Sequence, residues 1–352
     1  MKRIHLLQWV FIGLVLMISS CTTTIPMEVL RPADIVIDAN IQTIALVDRS
    51  RPSSGFLNVL GGLVSGERIG QAREGRENAM VGVSNVLSRT PRFTVVQTGI
   101  AMEGSKGGRR MAPPLVWSEV ERICESVNAD ALAVIESYDL SYSTSSSEQE
   151  RKKKDKDGNE YVEKFWQANA NMDIKIGWRV YDPSKRIIID EFVSNAGQNY
   201  SSEGANQQQS FDRLPNPVRS SGRISLGIGE AYAERIAPVY IFVNRTIYNT
   251  GKKPFKEDMK QAAQLVRVGN WDAAKSKWND IIGAADAKTS AKACVNMAIA
   301  YEHEGNFAQA QKYVEKALID YGFKSAQGYA NQLNIRMREE DRANQQMQNK
   351  RN

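Results

Sequence analysis

The sequence predicts an α+β protein, in which a mixed sheet with long antiparallel hairpins and packed helices is followed by an all-α segment of helical repeats. Three observations carry this. Strand-like and helix-like patterns alternate from Ile35 to Tyr142, the order of a sheet with crossover helices. From Trp166 to Val180 every second residue is apolar (Trp166, Ala168, Ala170, Met172, Ile174, Ile176, Trp178, Val180), as in a strand with one face on a core and one in water. In the last quarter, Gly269-Asn270-Trp271-Asp272-Ala273-Ala274 recurs 36 residues later as Gly305-Asn306-Phe307-Ala308-Gln309-Ala310.

The chain has 352 residues and opens with Lys2, Arg3 and an apolar run from Leu6 to Ile18. That run falls short of the roughly 18 residues a membrane span needs, so it reads as a secretory signal. Ile18-Ser19-Ser20-Cys21 resembles the lipobox of bacterial lipoproteins. The resemblance implies a signal peptide over 1–20, acylation of Cys21 with palmitate-type chains, and attachment to a membrane through that lipid. Two acyl chains anchor stably where one does not. Thr22 in place of an aspartate implies sorting to the cell outer membrane, and the absence of an acidic cluster in Thr22–Ile25 implies the periplasm-facing side.

The mature chain has a net charge of +4 and no concentrated Lys/Arg stripe, so nucleic acid is not expected as a partner. Cys124 and Cys294 sit in apolar helical patterns and read as small buried core residues rather than a disulfide. His303 is the one histidine left after the signal. Ser-His-Asp and Cys-His nucleophile systems need a positioned imidazole, and a catalytic zinc draws on several His or Cys ligands. No enzyme activity, catalytic residue, metal or cofactor is therefore expected.

Residues 21–32 read as a lipidated tether reaching no farther than roughly 35 Å, which would hold a sheet domain over 33–250 near the membrane. Within that domain Ile35–Asp38 and Ile41–Asp48 read as strands. Arg49–Gly66 reads as a loop lacking the Gly-Lys-Ser/Thr of a phosphate cradle. Glu67–Ser88 is a predicted helix, Phe93–Gln97 a strand, Val116–Val127 a helix and Ala129–Tyr142 an apolar strand. Ser143–Glu160 reads as a hairpin tip turning at Asp157-Gly158-Asn159, and Arg186–Ser194 as the partner of the period-two strand. Asn195–Arg223 reads as a long polar loop, and Ile228–Thr250 as a helix kinked at Pro238.

The recurring Gly-Asn-aromatic block resembles the tetratricopeptide repeat, whose period is 34 residues and whose unit is two antiparallel helices. Glycine ends the first helix, the aromatic residue starts the second, and alanine allows close approach. The resemblance assigns 251–340 to tetratricopeptide-like repeats with a capping helix from Ser325 to Met337, leaves 341–352 as a polar tail, and offers Trp271, Trp278, Tyr301, Phe307 and Tyr313 as partner-binding candidates.

Taken with Arg31-Pro32-Ala33, Ile44 to Ser50, Arg92-Phe93, Pro114 to Trp117, Ala129 to Leu132 and Ile236-Ala237-Pro238, the chain resembles an uncharacterised family of Gram-negative cell-envelope lipoproteins. In fold alone, its order is similar to envelope lipoproteins of the curli-secretion-channel and synthase-activator type. The expected role is a membrane-anchored adaptor or scaffold that binds another envelope protein or peptide at its helical repeats. An oligomeric secretion or pore component using the Trp166–Ser194 hairpin is an alternative. An enzyme acting on wall glycans through carboxylates such as Asp139, Asp173 or Glu191 is another, with Asp48-Arg49-Ser50 the best isolated place to look for a site.

Overall fold

In a computed structural model, residues 21–51, 66–90, 92–105 and 108–348 are described. The signal segment and the core of the predicted 49–66 loop lie outside them. The strands are β1 (Thr22–Arg31), β2 (Thr43–Arg51), β3 (Thr94–Glu103), β4 (Ala131–Lys154), β5 (Glu160–Asp182), β6 (Ile187–Gly204) and β7 (Val239–Tyr248). The helices are α1 (Gly66–Leu87), α2 (Trp117–Ser126), α3 (Gln207–Asp212), α4 (Pro217–Ile236), α5 (Lys256–Arg267), α6 (Trp271–Ile281), α7 (Ala287–His303), α8 (Phe307–Ile319) and α9 (Gln327–Gln348). The described residues divide into two compact units, one of those within 32–239 together with 343–348, the other of 21–31 with 240–342.

The first unit is the expected mixed sheet, in the order β3-β2-β4-β5-β6. β2 lies parallel to both β3 and β4, whereas β4, β5 and β6 run antiparallel. The period-two residues Ala168 to Val180 of β5 are all buried, and one sheet face packs on α1 and α4. Those two helices touch backbone to backbone. A Cβ on Gly82 would lie 2.2 Å from the Leu226 carbonyl oxygen, and one on Gly229 would lie 2.0 Å from that of Ala79. Trp178 stacks on Tyr232 at 4.4 Å between ring centroids. On the other face Val120, Ile123 and Cys124 of α2 cover Leu132, Val134 and Tyr181.

Several boundaries differ from the sequence reading, each for a physical reason. Residues 22–31 are not a loose tether: Thr23, Ile25, Met27 and Val29 are buried on one side, and β1 pairs with β7. Pro26 fits because a two-stranded ribbon leaves each strand an open edge. Ile35–Asp38 forms no strand; the amides of Asp34 and Ile35 donate instead to the Arg235 carbonyl. The helix expected to run on to Thr250 stops at Ile236. Ala237, before Pro238, is extended (φ −136°, ψ 141°), and Val239-Tyr240-Ile241-Phe242-Val243 then follows strand preference.

The polar loop expected over 195–223 is mostly ordered. β6 continues to Gly204, Asn206 caps α3, and Asn216-Pro217 caps and opens α4. The predicted hairpin tip does turn at Gly158 (φ 90°), but β4 and β5 reach it as strands, in one register from Lys154↔Glu160 back to Ser137↔Gly177 and, after a one-residue shift, from Ile135↔Trp178 to Leu132↔Tyr181.

The second unit is the β1–β7 ribbon with α5 to α8 and most of α9. Gly269 (φ 77°) and Gly305 (φ 72°) end α5 and α7 in one and the same motif. Asn270 and Asn306 each donate a backbone N–H to a carbonyl five residues back, Leu265 and Tyr301. Each then caps the next helix with its side chain, on Ala273 and Gln309. The sequence recurrence is thus a recurrence of backbone geometry. The expected polar tail is instead helical to Gln348, with Ala343 and Gln346 buried.

Candidate functional sites

Two clusters merit attention. In the sheet unit, Glu136 is the extra residue of a β-bulge: Ile135 pairs with Trp178 and Ser137 with Gly177, leaving Glu136 unmatched. Its fully buried carboxylate accepts from Arg49 Nη1 at 2.9 Å and from the Tyr181 hydroxyl, and lies 3.3 Å from Arg179 Nη1. Arg179 also donates to Glu191 at 2.6 Å and to the Ala112 carbonyl at 2.7 Å. Arg49 donates to the Pro113 carbonyl at 2.8 Å, and the Leu115 amide donates to the Tyr181 hydroxyl at 3.2 Å. Two cations meet two carboxylates, and the network fastens the 112–115 segment across the sheet. Burial, then the bond to Glu136, pushes the Tyr181 hydroxyl up to about 12.

The other predicted polar residues scatter. Asp48 accepts from the Ser50 amide and hydroxyl and faces Arg76 at 3.3 Å, so Asp48-Arg49-Ser50 is the irregular end of β2, carrying two ion pairs. Asp139 faces Arg109 at 3.6 Å. Asp173 is exposed on β5 and packs against Gly197. Glu191 pairs with Arg179. Cys124 is buried with its thiol pushed up to about 12 by desolvation, and buried Cys294 is pushed up to about 11. Among the described residues no group of three His, Cys, Asp or Glu is placed to hold a metal. Among them, too, no helix is long and apolar enough to cross a membrane. At the hairpin tip Arg151 pairs with Glu163 on one face and Lys164 with Glu150 on the other. Neither face therefore carries the apolar stripe of a lipid-facing barrel strand.

In the helical unit the structure brings three of the five predicted aromatics into one half-exposed strip. Trp271, in the first turn of α6, stacks on His303 at 4.4 Å, and Tyr301 stacks on Tyr313 at 5.5 Å. Lys275 joins the two pairs, lying 5.3 Å over the Tyr301 ring and bonding Glu304 and Asp272. Phe307 lies outside those ring pairs; it packs on the same small cluster as Tyr301 and Tyr313, which includes Leu333 of α9, and lies 5.9 Å from the Arg336 guanidinium. Trp278 is a correction: it is fully buried in the unit's core and has no surface to offer a partner. Behind the strip, Arg245 of β7 makes a two-pronged bond to Glu302 of α7 at 2.8 and 2.6 Å, and Tyr329 donates to the same carboxylate at 3.0 Å. Asn296 grips both the N–H and C=O of Tyr248.

Raised tyrosines make the fold alkali-sensitive. Tyr138 and Tyr181 are each pushed up to about 12, chiefly by burial, whereas an unfolded tyrosine ionises near about 10. A folded value above the unfolded one stabilises at low pH and is lost as pH rises through the folded value. Stability is expected to fall between about pH 10 and 12. Tyrosinate absorbance should rise in two steps, the second coinciding with loss of far-UV dichroism; one early step with the dichroism intact would contradict it.

What emerges is a two-unit α+β protein whose buried polar clusters are internally paired and which carries a half-exposed aromatic strip on its helices. Residues 41–248 match a family model described as a domain of unknown function, DUF8603, and residues 260–340 match a second, DUF6340. The first match covers more than half of the sequence: the chain belongs to the DUF8603 family. No curated protein matches it. Among solved structures, the PelC dodecamer from Paraburkholderia phytofirmans aligns at 10% identity and a TM-score of 0.21, covering 59% of this chain and 96% of that one.

Proposed function

We propose that this protein is a lipid-anchored adaptor of the cell outer membrane, facing the periplasm, whose tetratricopeptide-like helix pairs bind another envelope protein or peptide. The observation that carries the reading is the Trp271–His303, Lys275, Tyr301–Tyr313 strip. Flat rings with few rotamers, flanked by a cation and carboxylates, are the anchors protein interfaces favour. The lipobox-like Ile18-Ser19-Ser20-Cys21 and the exposure of the Cys21 side chain support the anchor. The paired, buried state of the Glu136 network favours binding over chemistry, and the burial of the Ala168 to Val180 face in the sheet unit's own core favours an adaptor over a ring built from the Trp166–Ser194 hairpin.

A photoreactive residue at Asp272, 92% exposed beside the strip, tests this in intact envelopes. One specific adduct is expected there and none from the same probe at exposed Lys260. No adduct, or the same adducts from both positions, defeats the adaptor reading. The mass of the N-terminal peptide tests the anchor: an unmodified Cys21 thiol removes it.

A further inference from the structure

Basic side chains gather around Cys21, on the helical unit alone. The Asn249 amide donates to the Cys21 carbonyl at 3.2 Å. Two residues on, the Thr23 hydroxyl accepts from Asn249 Nδ2 at 3.0 Å and from Arg267 at 3.3 Å. The loop leaving Asn249 is fastened to α7: Lys292 Nζ donates to the Thr250 carbonyl at 3.2 Å, and the Lys252 amide donates to the Thr289 hydroxyl at 3.1 Å. Lys252, Lys253, Lys288 and Arg267 are exposed and Lys292 is half-exposed. Two other lysines of the unit, Lys275 and Lys277, pair with Glu304 and Asp258. Among the described residues these five form no salt bridge. The nearest acid, Asp286, is held by Thr289 and also feels Lys252; Glu257, in the first turn of α5, is the other acid close in sequence.

We propose that Arg267, Lys252, Lys253, Lys288 and Lys292 form a docking face for anionic phospholipid headgroups. This rests on the anchored reading above and extends it to the surface that meets the bilayer. β1 begins at the residue after Cys21, so no slack separates an acylated Cys21 from this face. Charges act over roughly 10 Å through physiological salt, and Arg267 reaches Thr23, two residues from Cys21, at 3.3 Å. Each basic side chain at such a surface multiplies membrane partition about five-fold. Acyl chains alone would let the unit swing about Cys21; the cations fix which way it faces.

The acylated protein is reconstituted in phosphatidylcholine vesicles with and without phosphatidylglycerol, and amide exchange is followed over residues 249–256 and 285–293. Exchange several-fold slower with phosphatidylglycerol is expected, with the protection lost in high salt and in Lys252→Glu/Lys253→Glu/Lys288→Glu. Equal exchange in both vesicle types overturns the proposal. So does equal protection by inorganic phosphate without vesicles, which would mark a soluble-anion site. If Cys21 carries no acyl mass, the anchored reading fails by itself. Cosedimentation of that unacylated chain with phosphatidylglycerol but not phosphatidylcholine vesicles would then uphold the face, and its absence would end it.

Discussion

Replacing Glu136 by alanine is expected to cost the sheet unit about 3–5 kcal/mol, because it removes the carboxylate that two largely buried cations share. Arg179 is 5% exposed, and the Arg49 side chain only 14%. Each would keep one or two partners, Glu191 and the Ala112 and Pro113 carbonyls, but the charge balance would be broken. The hydroxyl of Tyr181 would also lose its acceptor. Asp139→Ala is the control: the Asp139–Arg109 pair is 40% and 66% exposed, and its loss should change stability by no more than about 1 kcal/mol. Two units need not unfold together, so the measurement is amide exchange along β4 and β5 under native conditions. A change below about 1 kcal/mol for Glu136→Ala would mean that water replaces the carboxylate.

Glu302→Ala should be comparably severe in the helical unit, about 3–5 kcal/mol, since Arg245 is 8% exposed and both prongs of its fork end on that one carboxylate. Burial and the Glu302 carboxylate already hold the Tyr329 hydroxyl far above its usual ionisation range, so it too would be left a stranded donor. Glu302→Gln should cost less, keeping an acceptor for Tyr329 but not the charge for Arg245. The readout is exchange in β7 and α7, and retention of wild-type protection there in Glu302→Ala would show that the triad does not hold the ribbon to the helices.

Much of this architecture could be read from the chain. Period-two burial in β5 and the recurring Gly-Asn-aromatic corner are strictly local signals, and both correspond to regular geometry in the structure. The errors arose where a local signal meets a partner far away. Ile25, Met27 and Val29 alternate visibly, but a strand needs something to pair with, and in β7 Val239, Val243 and Ile247 also suit a helical spacing. The capped starts at Asn206 and Asn216-Pro217 lie inside a polar stretch whose composition reads as loop. Among the candidate residues, the repeat offers Trp271, Tyr301 and Tyr313, which lie in one strip, and the same reasoning cannot tell buried Trp278 from them. Glu136 left one faint trace, a single acid within the apolar run Ala131 to Ile135 and on to Tyr138. Its neighbours Arg49, Arg179 and Tyr181 come from other strands, and only tertiary pairing reveals them.

The ribbon of β1 and β7 joins segments more than two hundred positions apart. During synthesis Thr22–Arg31 emerges first and has no mate until Val239–Tyr248 follows, so its apolar side must stay sheltered or exposed through that interval. A product ending before Val239 would carry an orphan strand beside its amino end, with an open edge ready to recruit any extended peptide it met.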